Sequence, residues 1–292
     1  MTKQLTPDKN DAFLAFASTA LLYLAASLIL GSAQSAVGNS SPWWWVFLAL
    51  SSVAIGGSAV AYCAAKKANV CKFCALDVPP SLVFTLVGGV ATIALLFFMA
   101  PLTNWLYDLM ERVGLTRPSV ALPLQLVPLL LTVTILPAFC EEIVFRGMIA
   151  NGFLRSYRNS WGAVLLSGAI FSLFHANPAQ TIHQFVLGCL LAFLIQRSGS
   201  VWTCVIVHFV NNLFTVVFEF TLPADIFVSW VACLCGGLVA VGTIVVSVLF
   251  VKPTKYAITP QEEPIPRDTF RLSAFLLTVC VFCILWVMTL LG

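Results

Sequence analysis

The chain has 292 residues, 60% hydrophobic and 9% charged, with 15 basic residues against 12 acidic and a mean hydropathy of +0.98. Soluble domains carry about a quarter charged residues. A water-soluble globule, a disordered chain, a coiled coil, a secreted disulfide scaffold and a nucleic-acid binder are therefore excluded at this level. What remains is an all-α polytopic membrane protein, because open sheet edges cannot face lipid.

A membrane crossing needs about 20 apolar residues. In chain order the apolar runs predict nine spans, at 12–31, 43–63, 81–104, 124–150, 160–176, 179–196, 200–222, 225–251 and 273–291. The fifth and sixth are short, and a bundle of eight is the alternative count. With the N-terminus cytoplasmic, twelve basic residues (Lys3, Lys9, Lys66, Lys67, Lys72, Arg155, Arg158, Arg197, Lys252, Lys255, Arg267, Arg271) fall on that side. Only Arg112 and Arg117 fall on the other. That asymmetry is the positive-inside pattern of a multi-pass protein, with the cell membrane as its expected location. The first span lacks a small-x-small cleavage site before its polar turn, so a cleaved signal peptide is not expected. Most of the ten cysteines lie within spans, where Cys acts as a small hydrophobe. The single CxxC, Cys71 to Cys74, has no second pair and is read as free thiols.

Ionisable groups inside spans are costly enough to mark function. They are Glu141, Glu142, Arg146, His175, His183, His208 and Glu219, and six of these seven fall between 141 and 208. Glu142 and Arg146 are four apart and share a helix face, so they are expected to pair. Arg146, close to the cytoplasmic helix end, is expected to snorkel. Glu141 is rotated about 100° away and left without a local cation. Pro137 removes a hydrogen bond one turn earlier and should kink the helix. His208 and Asn212 also share a face, and Thr215 and Glu219 extend that polar stripe. Taken singly, each element has a bland reading: a charge cluster at a helix end, a packed histidine, or interhelical hydrogen bonding.

Together they form a chemical set. A carboxylate and an imidazole can hold and deprotonate a water, and a neutral His and an Asn can donate to the oxyanion formed on attack at a carbonyl. The alternative is a Zn²⁺ site with an open position for water, for which Glu141, His175 and His208 would be the ligands.

The ordered runs Glu141-Glu142-x-x-x-Arg146, Phe171-x-x-x-His175 and His208-x-x-x-Asn212 resemble the EExxxR, FxxxH and HxxxN motifs of the CPBP intramembrane proteases, which include the CAAX prenyl endopeptidases and ABI proteins. The neighbouring runs Glu141–Ile149 and Gly199–Phe214 are also similar to family runs. The resemblance covers about residues 124–218. It implies a helical protease core over 123–222, with its catalytic centre on about four helices, flanked by N-terminal spans and loops at 1–122 and C-terminal spans at 223–292. It implies that Glu141 and His175 activate water, that Glu142 and Arg146 support them, and that His208 and Asn212 stabilise the oxyanion. No cofactor is expected on this reading. The substrate would be a membrane-associated protein or peptide, cut near the cytoplasmic side because Glu141 falls in the inner half of its span. His183 and Glu219 match no motif position; His183 is read as a structural neighbour and Glu219 as cavity-lining or interfacial. A non-proteolytic membrane scaffold or immunity protein is the competing class. A transporter fits less well, since no repeat halves or paired broken helices occur.

Overall fold

The structure, a computed structural model, describes residues 6–38, 40–112, 114, 125–223, 226 and 229–291. Lys3 and Arg117, used above for orientation, lie outside the described residues, as does the boundary between 122 and 123. The described residues are helical without strands. The helices are α1 Lys9–Val37, α2 Pro42–Ala65, the single turn α3 Val70–Phe73, α4 Leu82–Glu111, α5 Leu126–Ser156, α6 Ser160–Phe174, α7 Thr181–Ser198, α8 Val201–Thr221, α9 Trp230–Phe250 and α10 Thr269–Leu291. Among them, eight are long and apolar enough to cross a membrane, and α6 is a shorter apolar helix. The protein is thus an integral membrane helical bundle, and each predicted span has its helix.

Local chemistry sets several helix ends. Asp8 caps α1 by accepting from the backbone N–H groups of Asn10 and Asp11, and Asp11 returns the bond to Asp8 N in a capping box. Ser41 caps α2, with Pro42 in its first turn. α7 stops at Gly199, whose φ of +69° favours glycine. A Cβ at Gly199 would also collide with the Tyr256 carbonyl.

α5 is the hub. It packs against α1, α2, α6, α7 and α8, and Phe145 to Ala150 are six consecutive buried residues. A helix buried all round belongs inside a bundle. α6 and α7 form a hairpin, α9 packs on α4, and α10 packs on α1. The segment between α9 and α10 runs beneath the helix ends. The N–H groups of Thr254, Ile258 and Gln261 donate to carbonyls of Arg197, Gln196 and Arg155, which satisfies acceptors left open in the last turns of α7 and α5.

α5 has 31 residues, from Leu126 to Ser156, so it runs past the predicted span end at 150 and Glu141 is its central residue. It stands fifteen residues before Ser156, and α6 climbs back fifteen residues from Ser160 to Phe174. At 1.5 Å per residue both paths cover about 22 Å. The short α6 therefore delivers His175 to the height of Glu141, although the sequence map placed the two at different depths.

Candidate active site

The segment carrying the two glutamates, Leu136–Val144, is α-helical and lies between two π-helical stretches, Leu130–Ile135 and Phe145–Ala150. The first has a local cause. Pro137 has no N–H and its ring crowds the carbonyl four residues back. The chain relaxes by widening: Leu136 N donates five residues back, to Leu131 O. The expected kink at Pro137 is thus realised as a π stretch, a feature that recurs at functional sites.

Glu142 and Arg146 are both fully buried, and Arg146 Nη1 donates to Glu142 Oε1 at 2.9 Å. The expected pair is present, but a fully buried guanidinium does not snorkel. It lies over the Phe171 ring, 4.1 Å from the centroid, an arrangement that stabilises a desolvated cation. Glu142 Oε1 also meets His208 Nδ1 at 2.8 Å, a contact across 66 residues of sequence. A carboxylate so placed accepts, so Nδ1 carries the proton. This corrects one expectation: the single N–H of a neutral His208 is spent on Glu142. Nε2 can donate to an oxyanion only after the ring gains its second proton.

His175 follows the last residue of α6. Its Nδ1 lies 2.8 Å from the Phe171 carbonyl oxygen. A carbonyl cannot donate, so Nδ1 bears the proton and Nε2 presents a lone pair. Nε2 is 3.9 Å from Glu141 Oε2. That oxygen is buried and has no hydrogen-bond partner among the described residues. Two acceptors this far apart cannot bond each other, but a water donating one hydrogen to each spans the gap at about 2.8 Å per bond.

Phe171 links these parts. Its ring meets His175 at 4.7 Å, His208 at 5.9 Å and Phe145 at 5.2 Å between centroids. The motif spacing placed Phe171 and His175 on one helix face, yet sequence reasoning gave the ring no role.

Asn212 lies one turn beyond His208 on α8, and its Oδ1 accepts from Asn211 Nδ2 at 3.2 Å. His183 lies beside the Asn211 side chain, so it belongs to the polar surroundings of the site. Thr215 and Glu219 are exposed, and the predicted stripe lines the interior only through its first two residues. Among the described residues no group of three or more His, Cys, Asp or Glu side chains is arranged to hold a metal ion. Glu141, His175 and His208 form no such group, and with Nδ1 of each histidine engaged by the Phe171 carbonyl or Glu142, Nε2 is the ring nitrogen left open. The ten cysteines are free thiols.

Residues 123–214 match the family model for type II CAAX prenyl endopeptidase Rce1-like proteins. A Bacillus subtilis (strain 168) protein named "Putative membrane peptidase YdiL" is 33% identical over 97 residues, which are 33% of this chain and 39% of the relative. The match thus spans about two-fifths of that relative's length. No solved structure matches the chain.

Proposed function

We propose that the protein is an intramembrane endopeptidase hydrolysing a peptide bond of a membrane-associated protein or peptide, a reading supported by the match of residues 123–214 to the Rce1-like family model and by the similarity to a peptidase-named relative. The observation that carries this reading is the facing pair of acceptors, Glu141 Oε2 and His175 Nε2, 3.9 Å apart. Between them a water is held by both hydrogens with its oxygen lone pairs free to attack. Glu141 takes one proton as the water oxygen bonds to the scissile carbonyl carbon. The carbonyl π electrons move to oxygen, and Asn212 Nδ2 donates to the resulting oxyanion, joined by His208 Nε2 when that ring is doubly protonated. The C–N bond then breaks, and the proton held by Glu141 passes to the departing amine. Glu142 and Arg146 position His208 and fix the helix that presents Glu141. No step requires a cofactor.

The reaction lies in the interior of the bundle at the mid-height of α5, so the scissile bond must reach that depth. The N-terminus and the segment between α9 and α10 are assigned to the cytoplasm of the cell membrane, on the basic asymmetry. Cysteines introduced at Ser40 and Thr259 should then label from opposite sides, and labelling from one side would overturn the orientation.

The reading is tested by comparing the membrane peptidomes of wild-type cells and cells carrying Glu141→Ala. A precursor should accumulate in the variant with loss of its cleaved product. Identical peptidomes at equal protein level would favour a non-proteolytic scaffold.

A further inference from the structure

A second layer of polar groups stands behind Asn212. Thr92, on α4, donates from Oγ1 to Asn211 Oδ1 at 3.1 Å. Asn211 Nδ2 donates to Asn212 Oδ1 at 3.2 Å. His183, in the first turn of α7, lies beside the same Asn211 side chain. Thr92 is fully buried and Asn211 is 5% exposed. Buried polar groups keep their partners, so each bond in this chain restrains the next.

Resting on the endopeptidase reading, we propose that Asn211 is a positioning residue: held by Thr92, it fixes the Asn212 amide so that Nδ2, rather than Oδ1, is presented to the oxyanion. The terminal torsion of an asparagine is broad and nearly two-fold, so the side chain does not select its own orientation. The choice matters, because a half-turn replaces two donors with an acceptor. An oxygen aimed at a developing oxyanion repels it. The bond from Asn211 engages Oδ1, and Asn212 Nδ2 makes no bond to a described residue. Thr92 lies outside residues 123–214, so a flanking helix governs the polarity of a donor in the core. A merely structural network would also join α4 and α8, but its loss would act whether or not Asn212 were present.

The experiment uses purified full-length protein and a quenched fluorogenic farnesylated CAAX peptide as probe, with kcat, KM and melting temperature read for each variant. Asn212→Ala should lower kcat by about 10²–10³-fold, as loss of an oxyanion donor does. Asn211→Asp offers Asn212 only acceptors and should turn its Nδ2 inward. It should approach the same loss in kcat with KM unchanged, and add less than about twofold in an Asn212→Ala background. Thr92→Val leaves Asn211 in place and serves if Asn211→Asp misfolds. It should cost about 2- to 10-fold in kcat, again only where Asn212 is present. Equal losses in both backgrounds would overturn the proposal while leaving the endopeptidase reading intact. An Asn212→Ala variant with wild-type kcat would remove the oxyanion role of Asn212, and the positioning role with it, while an inactive Glu141→Gln control keeps the endopeptidase reading separate.

Discussion

α5 and α7 differ from α9 and α10 in what surrounds them, though all four are apolar. In the most apolar stretches of α5 and α7, 44% and 56% of residues are buried inside the bundle; in α9 and α10 the shares are 28% and 17%. The charges follow that difference. Glu141, Glu142 and Arg146 sit on the enclosed helix α5, whereas α9, Trp230–Phe250, carries no charged residue. α10 carries only Arg271, in its first turn, where Arg271 Nη1 reaches Asp11 Oδ1 at 3.1 Å. Lipid cannot solvate an ion, so a charge inside the bundle is tolerable only where protein supplies the partner. Hydrophobicity alone does not separate a working helix from a belt helix; enclosure does.

The comparison is broken most severely by removing a partner from the enclosed side. Glu142→Leu deletes the carboxylate oxygen shared by Arg146 and His208 and strands a fully buried guanidinium. It should cost about 3–5 kcal/mol, read as a large drop in the melting temperature of detergent-solubilised protein. A variant as stable as wild type would mean that Arg146 finds another partner. Packing gives the next contrast. A Cβ at Gly168, in α6, would press on Cys189 Sγ and lie 2.9 Å from the Phe185 carbonyl oxygen, whereas one at Gly242, in α9, meets nothing within 4 Å. Gly168→Ala should destabilise by about 1–3 kcal/mol, whereas Gly242→Ala should be neutral or stabilise by up to about 1 kcal/mol. Equal melting temperatures for the two would remove the distinction between the regions. The smallest expected effect is that of chelation. Activity should survive exhaustive chelator treatment, since the proposed chemistry runs through side chains. Loss restored only by Zn²⁺ at stoichiometric content would return the metal reading.

Much of the site was legible because its signals are local. A charge inside an apolar run is visible without a fold, and the spacing of Glu142 and Arg146 is a helix repeat. The nine apolar runs were legible as helices for the same reason, although only eight of those helices are long and apolar enough to cross a membrane. The rest depends on contacts that no periodicity encodes. Glu142 and His208 are 66 residues apart, and their bond alters the donor state expected of His208. The π-helical widening over Leu130–Ile135 is a relaxation of the backbone near Pro137, for which the sequence suggested a kink but not its form. Thr92 is one hydroxyl among many in apolar helices. Only the packing of α4 against α8 brings it to Asn211. The equal height of Glu141 and His175 required the actual ends of α5 and α6, which an apolar window places to within a turn at best.

The central claim is that Glu141 performs proton transfer while Glu142 holds the structure. Glu141→Gln keeps shape and hydrogen bonding but cannot take the water's proton. Its kcat on the quenched farnesylated peptide and its melting temperature, measured on one preparation beside wild type, test the claim directly. The account predicts a loss of about 10²–10⁴-fold in rate at an unchanged melting temperature. A Glu141→Gln variant that unfolds, or that folds and cleaves at the wild-type rate, would contradict it.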